Sequence, residues 1–141
     1  MARLRIVILA SGSGTLAQAI FDAKLNLEIL ALISDKESMA LQRAHDNGVE
    51  SIYLPIGPDR KEWDRKLFDV VENYKPDLVV SVGFMRILST DFVRRFKTIN
   101  THPALLPTFP GAHAVRDALA AGSRLTGATV HWVCLLYTSD A

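Results

Sequence analysis

The chain alternates between short, nearly unbroken apolar runs and longer stretches in which apolar residues recur every three or four positions. Leu4-Arg5-Ile6-Val7-Ile8-Leu9 is the first such run, as expected of a strand buried on both faces. Ser11-Gly12-Ser13-Gly14 interrupts it. Thr15 then stands where it could cap a helix with Leu16, Ala19, Ile20 and Ala23 on its apolar face. Leu27 to Ile33 predicts a second buried strand, closed by Ser34-Asp35. A helix from about Ser38 to Asn47 follows, with Gly48 suited to its end. Val49 to Leu54 predicts a third strand. Trp63, Leu67, Val70, Val71 and Tyr74 share one face of a helix that starts near Arg60 and stops at Pro76. Leu78 to Val82 predicts a fourth strand, Ser89 to Phe96 a short helix, and Thr98 to Thr101 a fifth strand. A Pro-rich loop spans His102 to Gly111. Ala112 to Ala121 suits a helix capped by Gly122, and Thr126 to Val133 predicts a sixth strand.

Strands alternating with helices of this length imply βαβ units, hence an open, doubly wound α/β domain with a mostly parallel sheet. Such sheets bind ligands beyond the carboxyl ends of their strands. Attention therefore falls on the loops after Leu9, Ser34, Val82 and Thr101.

Composition narrows the classes. With 141 residues, 49% of them hydrophobic and 22% charged, the chain has a one-domain length and can build a core. Sixteen Lys+Arg against 15 Asp+Glu leave a net charge of +1, which argues against holding nucleic acid by bulk charge. Cys134 is the single cysteine, so no internal disulfide is possible. No apolar run approaches the roughly 20 residues of a membrane helix, and the N-terminus lacks a signal-like cleavage pattern. These features predict a cytoplasmic protein with neither membrane nor nucleic-acid partners. No pair of histidines or cysteines has metal-ligand spacing, so no metal is expected.

Two places carry chemistry. In Gly12-Ser13-Gly14-Thr15-Leu16-Ala17, glycines between a strand and a helix let a ligand approach the backbone, and the free N–H groups of the helix start favour an anion such as phosphate. The same spacing fits the dinucleotide pattern G-x-G-x-x-G/A, and Asp35, 21 residues after Gly14, stands where a ribose-binding acid would. A plain Gly/Ser turn fits as well. The second place is Asn100-Thr101-His102-Pro103. Residues two apart on a strand share a face, so Asn100 and His102 fall together at a carboxyl end. An Asn amide suits an oxyanion hole, and a His can donate to the same oxyanion or shuttle a proton near neutral pH. No nucleophile stands in an elbow motif, so direct attack by a substrate amine is more natural than an acyl-enzyme. A pair that merely ends a strand fits equally. His45 reads as solvated, His113 as a helix cap at the site's edge, and His131 as structural.

Together, Ser11-Gly12-Ser13-Gly14-Thr15, Gly83-Phe84-Met85-Arg86-Ile87-Leu88, Asn100-Thr101-His102-Pro103-Ala104-Leu105-Leu106-Pro107, Pro110-Gly111-Ala112-His113 and Gly127-Ala128-Thr129-Val130-His131-Trp132-Val133 resemble the phosphoribosylglycinamide formyltransferase family. The resemblance runs from about Arg5 to Val133. It implies a Rossmann-like formyltransferase fold and formyl transfer from 10-formyltetrahydrofolate, as cosubstrate, to the amine of glycinamide ribonucleotide in purine synthesis. It implies that Gly14, Thr15 and Leu16 hold the ribonucleotide phosphate, Leu16 through its backbone N–H alone. Met85, Arg86, Ile87 and Leu88 would line the folate pocket, largely through backbone contacts to the pterin, and Arg60 would meet the folate's anionic tail. Asn100 would bind the formyl oxygen, with His102 as general acid and oxyanion stabiliser.

The resemblance also implies an Asp that favours the cationic His, 36 residues after His102, where this chain has Thr138. Residues 134–141 do not resemble the family's continuation, and its last strands and helix are missing. The expectation is an incomplete formyltransferase domain at 1–133 with a non-family tail, weak or inactive in catalysis. The competing classes are a phosphate- or nucleotide-binding module without chemistry, a NAD-dependent oxidoreductase domain and a formyltetrahydrofolate hydrolase. For the last there is no room before Arg5 for a regulatory domain.

Overall fold

A computed structural model describes residues 3–102, 116, 120–122 and 129–133. Six strands form one sheet: β1 (Leu4–Leu9), β2 (Leu27–Ser34), β3 (Ser51–Tyr53), β4 (Leu78–Ser81), β5 (Thr98–His102) and β6 (Thr129–Trp132). Their spatial order is β3-β2-β1-β4-β5-β6. The pairings among β1 to β5 are all parallel, and β6 runs antiparallel to β5. The helices are α1 (Thr15–Asp22), α2 (Met39–Asp46), α3 (Arg60–Tyr74) and α4 (Thr90–Arg95). This is the expected doubly wound, mostly parallel α/β sheet.

The continuous apolar run of β1 is explained by cover on both faces. Val7 and Leu9 join Ile33, Val79 and Phe84 under Trp63, Leu67 and Val71 of α3 and Phe92 of α4. Ile6 and Ile8 face the other way, with Leu32 and Val80, against Ala17, Ala40 and Ala44 of α1 and α2. The small residues on that second face let the two helices lie close to the sheet. Burying such side chains contributes about 1.5–3 kcal/mol each for the larger ones.

The amino ends of the strands are tied by polar contacts. The Arg5 guanidinium donates to the Tyr74 and Lys75 carbonyls at 2.9 and 2.8 Å, satisfying the open end of α3. The Asp77 carboxylate accepts the Arg5 backbone N–H at 2.9 Å. Asp59 and Ser89 cap α3 and α4, accepting the backbone N–H of Glu62 and Phe92.

Several expectations need correction. Thr15 is the first residue of α1 and not its cap; Gly14 takes that position, with φ +75° and no side-chain cap bond. The buried side of α1 is Ala17 with Ile20 and Phe21, whereas Leu16, Ala19 and Ala23 are exposed. The helix is rolled by one residue because Phe21 offers more apolar area than Leu16. The third strand is shorter than Val49 to Leu54. Backbone bonds from Leu32 N–H to Glu50 and from Leu54 N–H to Ser34 continue its pairing past both ends. The fourth strand ends at Ser81, and the fifth extends to His102. The sixth spans Thr129–Trp132, and residues 126–128 lie outside the described residues. So do the loop at 103–111, the tail at 134–141 and most of the helix expected at 112–121, of which Arg116 and Ala120 are helical.

Candidate active site

Chain order reverses between β1 and β4: from β1 the sheet grows through β2 and β3 on one side, and through β4 and β5 on the other. Loops leaving the carboxyl ends of β1 and β4 therefore diverge to opposite faces and leave a crevice. The β1 loop and the segment after β4 touch there, the Ser11 N–H donating to the Gly83 carbonyl at 3.2 Å, and β5 pairs with β4 beside them.

The β1 loop begins buried at Ala10 and Ser11 and emerges at Gly12, Ser13, Thr15 and Leu16, all exposed. Its shape comes from contact with α2. A Cβ on Gly14 would sit 2.6 Å from the Ala40 Cα, closer than real atoms approach. The Ala40 N–H donates to the Gly12 carbonyl at 3.3 Å, and Arg43 Nε donates to the Ser13 carbonyl at 2.8 Å. No acidic residue occupies the first turn of α1, and no side chain caps it. An uncapped, exposed helix start with nearby glycine backbone is a good anion receptor.

The segment after β4 runs from Val82 through Leu88 without helix or strand. Met85 and Ile87 are exposed, whereas Phe84 is buried and stacks on Trp63 at 6.2 Å between ring centroids. Arg60 reaches this segment from α3. Its Nε bonds Asp64 Oδ1 at 2.8 Å, its Nη2 donates to the Ile87 carbonyl, and its guanidinium lies 5.0 Å from the Trp63 ring centroid. The arginine is thus fixed beside Met85–Leu88, with its side chain 41% exposed and accessible to an anion.

Asn100 lies on β5, buried, in register with Ser81 of β4 and His131 of β6. His102 closes β5, its backbone paired with Thr129. Both sit on the strand two places from β1, at the carboxyl end that the loops share. His45 is exposed on α2, and His131 is half-buried with Nδ1 3.1 Å from the Trp132 carbonyl. His113 lies outside the described residues.

Asp35 does not serve as a ribose acid. Its side chain is fully buried, and both carboxylate oxygens are engaged, one by the Ser11 hydroxyl and one by Arg86 Nε, each at 2.6 Å. The Ser11 hydroxyl in turn accepts the Met85 backbone N–H at 2.8 Å. This network was not legible in the sequence. Its one signal is a charged residue closing an otherwise apolar strand, at Ser34-Asp35.

The architecture and motifs have a match among known proteins. Residues 4–134 fit the family model described as formyl transferase. The chain belongs to the formyl transferase family. Among this family's curated members, the phosphoribosylglycinamide formyltransferase of Mycobacterium tuberculosis is 46% identical over 136 residues, covering 92% of this chain and 63% of that protein. The Escherichia coli phosphoribosylglycinamide formyltransferase is 39% identical, covering 92% of this chain and 66% of that protein. The chain thus spans about two thirds of the length of these relatives. The crystal structure of glycinamide ribonucleotide transformylase 1 from Symbiobacterium toebii superposes with a TM-score of 0.87 at 36% identity, over 93% of this chain and 66% of that one. The Rossmann-like formyl transferase fold is therefore the fold of this chain. No helix among the described residues is long and apolar enough to cross a membrane.

Proposed function

We propose that this formyl transferase chain acts in transfer of a formyl group from 10-formyltetrahydrofolate to the amine of glycinamide ribonucleotide, a step of purine synthesis. The observation that supports the proposal is that an anion-ready β1 loop, an arginine-flanked β4 segment and the Asn100–His102 strand end all lie at the carboxyl end of one sheet. The names of its relatives in Mycobacterium tuberculosis and Escherichia coli support the same substrates.

In this proposal the ribonucleotide phosphate is held by the backbone of Gly14, Thr15 and Leu16. The pterin lies along Met85, Arg86, Ile87 and Leu88, and Arg60 faces the folate's carboxylate tail, which suits a guanidinium fork. The amine attacks the formyl carbon. A new C–N bond forms and the carbonyl electrons move to oxygen, where Asn100 and His102 stabilise the oxyanion. The oxyanion collapses and the bond from carbon to the folate nitrogen breaks. The amine loses one proton and the departing nitrogen gains one, with His102 as the general acid. Residues 1–133 form the transferase domain and 134–141 a tail unlike the family. With Thr138 where the family places its Asp, turnover is expected to be slow. A single cysteine and small soluble substrates fit a cytoplasmic setting.

Calorimetric titration with glycinamide ribonucleotide and with a stable folate analogue tests the proposal, together with single-turnover transfer. Both ligands are expected to bind. Asn100→Ala and His102→Ala should each slow transfer about 10²-fold or more, the usual effect of removing an oxyanion donor, with ribonucleotide affinity little changed. Failure of the wild-type chain to bind either ligand would overturn the assignment.

A further inference from the structure

Asp35 is buried and charged, yet it takes no part in the proposed transfer. A carboxylate withdrawn from water persists only where it is paired, and its two partners both lead to the same place. Arg86 Nε donates to Oδ2 at 2.6 Å. Ser11 donates its one proton to Oδ1 at 2.6 Å and uses an oxygen lone pair to accept the Met85 N–H at 2.8 Å. Through these bonds a single carboxylate joins the ends of β1 and β2 to two consecutive residues after β4.

The dependence is one-sided. The β1 loop has its own anchor on α2, through Gly14 against Ala40, the Gly12 carbonyl and Arg43. Met85 to Leu88 lie in neither helix nor strand; Leu88 packs against the core, and the polar contacts that fix Met85 to Ile87 come from the side chains of Ser11, Asp35 and Arg60. We propose that Asp35 is a positioning residue for the Met85–Leu88 backbone, setting through Ser11 and Arg86 the geometry with which that segment reads a pterin. This rests on the assignment of the segment to the folate.

The test compares the wild-type chain with Asp35→Asn, Arg86→Met and the double variant, titrated separately with the folate analogue and glycinamide ribonucleotide, with a thermal melt of each. An Asn can accept one of the two bonds but not both, and it removes the charge opposite Arg86. Arg86→Met keeps the backbone that would meet the pterin and removes the guanidinium that ties it to Asp35. Each single variant is expected to weaken folate binding about tenfold or more, as for loss of a charge-assisted hydrogen bond. Ribonucleotide affinity should stay within about twofold, and the double variant should be no worse than the weaker single, since both break one connection. Unchanged folate binding in both single variants would overturn the inference and leave the proposed function standing. Equal weakening of both ligands would mark Asp35 as a general structural residue and also overturn it. A wild-type chain that binds ribonucleotide but no folate would remove the assignment itself, and the inference with it. Should Asp35→Asn fail to fold, Arg86→Met decides by the same criteria.

Discussion

The β1 loop and the β4 segment leave neighbouring strands at the same end of the sheet, but Gly14 is seated directly on the Ala40 backbone, whereas Met85 and Arg86 hang from the side chains of Ser11 and Asp35. In the first case shape comes from what is missing, since only a residue without Cβ fits. In the second it comes from partners 74 and 51 residues away in the chain. A loop held by steric fit fails abruptly when altered. One held by hydrogen bonds fails by degrees, and its failure is confined to what it carries.

The largest effect should therefore come from Gly14→Ala. It combines a positive φ with a backbone collision, and the expected destabilisation is about 3 kcal/mol or more, read as a lowered melting temperature and lost ribonucleotide binding. Gly83→Ala is the matched control. Its φ is +70°, yet no neighbour lies within 4 Å of the added Cβ. It should cost only about 1–2 kcal/mol, the strain of the left-handed backbone. Equal melting temperatures for the two variants would show that contact with α2 does not hold the β1 loop.

Ser11→Ala comes next. It strips an acceptor from the part-buried Met85 N–H and a donor from the buried Asp35, with an expected loss of about 1–3 kcal/mol. Hydrogen exchange should accelerate at Met85 and leave the start of α1 protected. Acceleration in both places would erase the contrast between the two regions.

Arg60→Lys should do less. It keeps the charge but cannot reach Asp64 and the Ile87 carbonyl together, and the group is partly exposed, so stability should change by less than about 1 kcal/mol. Folate affinity should fall several-fold while the ribonucleotide is bound as before.

The smallest effect belongs to the opposite end of the sheet. Partial burial and the hydrogen bond and negative charge of Glu50 push the Tyr74 hydroxyl up from 10.0 to about 12. The folded state thus holds this proton more tightly than the unfolded chain. The associated stability is complete below pH 10 and is lost as pH rises toward 12. Tyr74→Phe should flatten that part of a pH–stability curve and leave both ligand affinities unchanged at neutral pH. A shift in either affinity would mean that the two ends of the sheet are not independent.

The elements legible in the sequence were those whose environment is uniform. β1 and β2 are covered on both faces, so their residues are apolar except for Arg5, Glu28 and Ser34 near their ends, and α3 repeats its apolar face through Trp63, Leu67 and Val71. The roll of α1 was missed because Leu16 and Phe21 compete for the core, and three-dimensional fit decides between them. At the site, the Gly-rich loop and the Asn100–His102 strand end were visible as motifs because their spacing is local. Asp35 was visible but pointed to the wrong chemistry. A spacing after Gly14 suggests a ribose acid, and nothing short of the folded chain brings Arg86 to it. For Arg60, nothing local in the sequence signals the bond to the Ile87 carbonyl, 27 residues away.

The contact between Gly14 and Ala40 also bears on how this sequence can drift. The space that a side chain at 14 would fill is taken by the helix carrying Ala40, so the two positions share one allotment of volume. A bulkier residue at 40 would push on the anion loop from behind. In a binding assay it would read as a lesion of the anion loop, although residue 40 is a buried helix position. Neutral change at position 40 is thereby limited to residues about as small as alanine.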